Sequence, residues 1–342
     1  MYLFTMPMTK HWKKMLLAAV LAAFVLAAGA AARPTGTSLA LVAYSTPKTV
    51  MGKIIQAWQQ TPAGQGVAFS QSYGASTDQA RAVAQGLKAD LVFLSTGDDV
   101  NLLVDAGLVN QSWNEQGYNG IAADTVVVFA VRNGNPKHIK SWADLIKPGV
   151  QVVIVNPKTG GNGRYAYLAA WGYVKKKGGT DAQAAEFVGK LFKNVPVLAR
   201  GGRDATTAFL QRNIGDVLIT FESEVISIDR EFGAGKVDAV YPSISILAEN
   251  PVAVVERTVA KKGTGELAKA YLDYLYSDEA QEIAARHALR PRSEAVLKKF
   301  ASTFKPVQLF TVQELFGSLG EAQKVHFNDG GQFDRLYTPG AK

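Results

Sequence analysis

The 342-residue chain has no cysteine, only four histidines and no low-complexity tract. Without a thiol there are no disulfide scaffolds, zinc fingers, iron–sulfur clusters, cysteine nucleophiles or cysteine-borne lipid anchors. His11, His138, His287 and His326 share no short ligand spacing, so neither a metal centre nor a cofactor is expected. Also missing are the Walker loop, the dinucleotide glycine fingerprint, the G-x-S-x-G elbow and the H-E-x-x-H helix. Nucleotide binding and catalysis therefore have little support. No uncharged stretch reaches the ~20 apolar residues that span a bilayer.

Charge is present but modest. Lysine and arginine number 37 against 29 acids, a formal +8. Residues 1–32 hold no acid, a basic patch at Lys10, Lys13 and Lys14, an apolar run over 16–28 and small residues at its exit. This pattern predicts a secretory signal peptide over 1–32 and an exported chain. Its removal leaves +5, interspersed along the sequence. The densest basic run, Lys175, Lys176 and Lys177, closes a helical pattern, where cations suit the dipole. No basic stripe with interleaved aromatics occurs, so no nucleic-acid partner is expected.

The remainder alternates strand and helix patterns, which predicts an α/β protein with largely parallel sheets. Buried strands are expected at 39–44, 67–71, 90–94, 125–131, 151–155, 217–221 and 252–256. Helices are expected at 50–59, 78–87, 100–106, 164–176, 182–191, 206–212, 265–276 and 278–287. Two segments read as crossings between lobes: the strand near 125–131, and the polar, proline-bounded stretch 241–251. A chain that leaves one lobe and returns makes two lobes around a cleft. The expected division is 37–122 with 251–310 as one lobe and 123–250 as the other. A helical tail, 311–342, packs on both.

A strand, a short polar turn and a helix start occur together four times. The turns are Ser45-Thr46-Pro47, the run from Ser72 through Gly74 and Ser76 to Asp78, the run from Asn156 to Gly163, and Gly201-Gly202-Arg203-Asp204. Helix N-termini expose unpaired N–H donors and a partial positive charge, and glycine lets an anion approach them. Ser45 or Thr46 is expected to cap the first helix, and Ser76 the second. Glu222 and Glu224 read as neighbours on one face of a strand end, paired for structure rather than chemistry.

These turns lie in blocks that resemble the sulfate- and thiosulfate-binding proteins of bacterial ABC importers. The most specific is NPKTGGNGRYAYLAAWGY at 156–173, with QSYGASTDQA at 71–80, GGRDATTAF at 201–209, IGDVLITFESE at 214–224 and SILAENPV at 245–252 in the same order. The resemblance runs over roughly 38–337. It implies a two-lobe type II periplasmic binding protein fold, parallel-rich mixed sheets with a hinge, and a monomeric periplasmic receptor that hands sulfate or thiosulfate to a membrane permease. By motif position, Thr46, Gly161, Asn162 and Gly202 would offer backbone N–H groups and Ser76 its hydroxyl, with Arg203 adding charge. Gly160 stands where the sulfate branch has serine, and Phe221 where it has a donating tryptophan, as in the thiosulfate branch. Ser45-Thr46 replaces tyrosine-aspartate. Receptors for molybdate, phosphate or an organic anion remain as alternatives.

Overall fold

A computed structural model describes residues 37–337; the expected signal peptide lies outside the described residues. The strands are β1 (Ser38–Tyr44), β2 (Ala68–Gly74), β3 (Leu91–Phe93), β4 (Ile121–Arg132), β5 (Val152–Val155), β6 (Val197–Ala199), β7 (Val217–Phe221), β8 (Val237–Val240), β9 (Ile244–Val254) and β10 (Gln308–Phe310). They run in the order β2-β1-β3-β9-β4-β7-β5-β6, with β8 on β4 and β10 on β9. β1 is parallel to β2 and β3, and β5 is parallel to β6 and β7. The parallel pairs need crossover helices. α1 (Lys48–Trp58), α2 (Ser76–Ala84), α4 (Gly161–Lys176), α5 (Asp181–Lys193) and α6 (Gly202–Leu210) make these crossovers, whereas α3 (Gly97–Asp105) leads from β3 to β4 and α7 (Glu222–Phe232) from β7 to β8.

Two long antiparallel strands join the halves of the sheet. β4 pairs with β9 through residues 121–126 and with β7 through 127–131. The last residues of β9 then pair antiparallel with β3. β4 is buried along eleven of its twelve residues, as suits a β-branched run covered on both faces. The stretch 241–251 does run between the halves of the sheet, but from Ile244 on it is part of the continuous strand β9 rather than a polar segment followed by a separate strand, the form the sequence predicts. β9 continues through it because its polar groups find partners. Ser245 Oγ donates to Val127 O at 2.6 Å, and Asn250 reaches Tyr44 and Ser95. Pro251, with no N–H to give, accepts from Leu94 N at 3.0 Å.

Other boundaries shift for local reasons. Pro47 and Ala75 occupy the N-cap positions expected for Ser45 or Thr46 and for Ser76. The helix expected from 206 starts four residues earlier, at Gly202. Glu222 and Glu224 lie in the first turn of α7, not on a strand, where acids favour the dipole. Arg132 fixes the far end of α6. Its guanidinium donates to Phe209, Ile214 and Gly215 carbonyls at 2.7–3.1 Å and stacks 3.8 Å over the Phe209 ring.

The tail wraps α4. Phe310 packs on Gly172, where an added Cβ would overlap the ring. A π turn over Gln323–Phe327, closed by Asn328 N donating to Gln323 O at 2.8 Å, brings both His326 and Phe327 inward. His326 Nδ1 lies 3.1 Å from the Tyr167 hydroxyl, and its ring sits 4.6 Å from that of Trp171. Burial lowers the His326 pKa to about 4. Between pH 4 and 6.5 the unfolded chain holds a proton there that the folded chain does not. Stability is therefore full above pH 6.5 and falls towards pH 4, by about 3 kcal/mol for this group. In urea titrations at pH 4 and 7.5, His326→Gln should remove about that much of the acid-induced loss. An identical loss in both proteins would clear His326 of the effect.

Candidate functional site

Five other helices begin on hydroxyl caps. Thr180, Ser277, Ser293, Thr311 and Ser318 each accept from a first-turn N–H. Those of α2, α4 and α6 do not: their N-caps are Ala75, Gly160 and Gly201, and no side chain caps them. Gly160 and Gly201 are extended, with φ of −141° and −148°, so any residue could adopt their backbone. Space is what requires glycine around these starts. An added Cβ on Gly201 would lie 3.3 Å from Ala75 Cβ. One on Gly202 would lie 2.8 Å from Thr46 Oγ1 and 3.6 Å from Asn162 Nδ2, and one on Gly161 would overlap Ser95 Oγ and Thr96 Cγ2. Thr46, Ser76, Gly161, Asn162 and Gly202 are thus brought together, from helix starts on both halves of the sheet. The N–H groups of Thr46, Ser76, Gly161, Asn162 and Gly202 have no acceptor among the described residues.

Side-chain atoms in and around this cluster are also unpartnered. Ser95 Oγ, Asn162 Oδ1, Ser223 Oγ and Glu224 Oε2 are buried without a hydrogen bond. A buried unpaired polar group costs about 1–3 kcal/mol, so such a concentration marks a place built for a ligand. Ser95 is a donor the sequence reading missed. It lies in the turn from β3 to α3, a fifth strand–polar turn–helix start, marked by Ser95-Thr96-Gly97-Asp98.

Asp99 ties the cluster's frame together. It accepts from Ser76 Oγ at 2.6 Å, Thr77 Oγ1 at 2.8 Å and Arg164 Nη1 at 3.1 Å. Ser76 Oγ in turn accepts from Ser95 N at 2.9 Å, and Arg164 Nε donates to Pro157 O at 3.2 Å. The Ser76 hydroxyl proton is thus directed to Asp99, and what the start of α2 offers outward is the Ser76 backbone N–H. Thr77 N donates to Thr159 O at 3.2 Å, and Arg200 pairs with Asp78 at 2.6 Å, linking α2 to the loops before α4 and α6.

The remaining expected residues take different positions. Gly160 N donates to Asn156 O at 3.1 Å, and a Cβ there would meet Val155 Cγ1 at 2.8 Å. Phe221 is fully buried, 6.1 Å from the Tyr165 ring. Arg203 turns away from the cluster: its fork closes on Glu231 at 2.7 and 2.8 Å, with Glu224 at 3.4 Å. Burial pushes the Glu224 carboxyl above its usual range, against Arg203, Thr206 and Thr46, which favour the ionised form. Glu222 is held by the Arg290 fork at 2.7 and 3.0 Å. No group of three or more His, Cys, Asp or Glu side chains placed to hold a metal occurs among the described residues. No described helix is long and apolar enough to cross a membrane.

The arrangement matches known proteins along most of its length. The model of the bacterial extracellular solute-binding proteins fits residues 39–290. The chain is 52% identical over 286 residues to the thiosulfate-binding protein of Pseudomonas aeruginosa, covering 83% of this chain and 86% of that one. It is 47% identical over 281 residues to the sulfate-binding protein of Escherichia coli, covering 82% and 85%. Among solved structures, the sulfate-binding protein SubI of Mycobacterium tuberculosis superposes with a TM-score of 0.80 at 36% identity, covering 86% of this chain and all of that one.

Proposed function

The chain belongs to the bacterial extracellular solute-binding proteins, and from that premise we propose that it captures sulfate or thiosulfate for an ABC importer. The fold is the two-lobe type II architecture of such receptors. The observation that carries the ligand reading is the set of uncapped helix starts at Ala75, Gly160 and Gly201, facing one cluster with free N–H donors and the Ser95 hydroxyl. A fully deprotonated dianion accepts every one of these bonds. A protonated phosphate would bring an O–H that backbone N–H groups cannot accept, and an O–H left unpaired costs about 1–3 kcal/mol.

Thr46, Ser76, Gly161, Asn162 and Gly202 supply backbone N–H groups in this reading, and Ser95 a hydroxyl. Gly160 and Phe221 shape the wall. Phe221 donates nothing, so a terminal sulfur, a weak acceptor, suits that side better than an oxygen. Thiosulfate is the preferred ligand on this account. Residues 37–122 with 251–310 close against 123–250 about β4 and β9, and the closed form is presented to the membrane permease. The receptor works as a periplasmic monomer after loss of residues 1–32, without metal or cofactor.

Thermal unfolding with sulfate, thiosulfate, phosphate, molybdate or tungstate tests the reading. A ligand at 100 times its dissociation constant adds about 2.7 kcal/mol. Thiosulfate and sulfate should raise Tm by several degrees, with phosphate inert. No rise with either sulfur oxyanion, or a rise with phosphate or molybdate alone, would overturn it.

A further inference from the structure

The mouth of the cleft carries a charge pattern unlike the neutral interior. A cavity of about 730 Å³ opens between α1 and the α6–α7 region, with Ser45 and Arg203 at the end nearest the cluster. A second cavity of about 170 Å³ shares Thr49 and Glu231 with it and reaches Thr46. Val50, Met51, Ile54, Ile55 and Trp58 turn the apolar face of α1 to the core. The opposite face, at i, i+3, i+4 and i+7 spacing, presents Thr49, Gly52, Lys53 and Gln56 to the larger cavity, beside Lys48.

Lys48, Lys53 and Arg230 line these cavities, are exposed, and form no ion pair among the described residues. Glu231 is the one acid lining either cavity, and the Arg203 fork already neutralises it. The mouth therefore holds three uncompensated cations, whereas the sequence reading spread the positive charge evenly over the surface. The donors inside act over short range, because the partial charge of a helix start is screened by salt and falls off within about its first turn. Unpaired charges act over about one Debye length, ~8 Å at physiological salt, and focus their field in a low-dielectric cleft.

We propose that Lys48, Lys53 and Arg230 form an electrostatic capture surface that draws the dianion into the cleft and then releases it to the neutral donors. This rests on the oxyanion reading above. The cations set how fast the anion arrives and leave the closed complex untouched, because the cluster's own contacts are backbone and hydroxyl groups.

Stopped-flow fluorescence with thiosulfate and with sulfate, from 10 to 300 mM sodium chloride, tests it. The variant is Lys48→Gln/Lys53→Gln/Arg230→Gln. The control is Lys193→Gln/Lys261→Gln/Lys298→Gln, which has the same net charge and replaces exposed lysines that line neither cavity. The mouth variant should bind about threefold more slowly at 150 mM salt and about tenfold or more slowly at 10 mM, with an unchanged dissociation rate. The control should follow the wild type. Equal association rates in mouth variant and control at every salt, or a loss confined to the dissociation rate, would overturn the capture surface alone. A wild type that binds neither anion would overturn it together with the oxyanion reading.

Discussion

Gly161→Ala should abolish tight anion binding while leaving the fold standing. The methyl group would occupy the space of Ser95 Oγ and Thr96 Cγ2, both from the β3–α3 turn on the other half of the sheet. Rotating the Ser95 hydroxyl away is not enough: Ser95 Cβ would still lie 3.2 Å from the methyl on a backbone whose N–H is anchored on Ser76 Oγ at 2.9 Å, and Thr96 is held by capping α3. The helix start must therefore withdraw, taking the N–H groups of Gly161 and Asn162 with it. A hydrogen bond to a charged group is worth about 1.5–3 kcal/mol, so losing two weakens binding at least a hundredfold. Alanine is a better helix former than glycine, so the urea midpoint should move little. Calorimetry with thiosulfate and sulfate reads the affinity. Gly189→Ala in α5, whose Cβ would meet only Leu336 at an ordinary 3.6 Å, serves as the silent control. Wild-type affinity in Gly161→Ala would remove the start of α4 from the site.

The site was legible where its chemistry is local. A strand followed by a glycine-rich turn and a helix start can be read directly, and the turns at 72–78, 156–163 and 201–204 do converge with Thr46. What the sequence hid is set by long-range pairing. Ser95 sits in a turn of the same kind, but its importance comes from facing Gly161, 66 positions away. Asp99 reads as one more acid in a helix first turn, and Arg164 as one more helix residue. Only the packing of α2, α3 and α4 makes them a buried pair. Arg203, two residues into a promising loop, was expected to face the anion, yet α7 returns Glu231 to it. The stretch 241–251 reads as a polar, proline-bounded crossing before a strand at 252–256, because the partners of Glu249, Asn250 and Pro251 lie far off in sequence, on β1, on β4 and just past β3. Short patterns in a sequence reveal what each element can offer, and they are silent on which elements will meet.

Asp99→Asn is expected to be the most destabilising single-atom-scale change in the frame of the site. The carboxylate accepts three bonds at once, from Ser76, Thr77 and Arg164. An amide cannot: its NH2 end must confront one of those donors. The Arg164 side chain is 6% exposed and Asp99 is its one ion-pair partner among the described residues, so the substitution leaves a buried cation without that partner. Breaking a buried pair from one side costs about 3–5 kcal/mol, a large share of the 5–15 kcal/mol that holds a typical domain folded. Removing both partners is a different case, since an apolar pair of similar volume is often tolerated. Asp99→Asn should therefore lower the urea midpoint sharply, and Asp99→Leu/Arg164→Met should recover part of that loss. Affinity should fall in both, because Ser76 loses its acceptor and the Ser95 turn its anchor. A double variant as unstable as Asp99→Asn would mean that the hydroxyls, rather than the ion pair, carry the stability. A double variant with both stability and affinity restored would mean that the carboxylate does nothing to place Ser76 and Ser95.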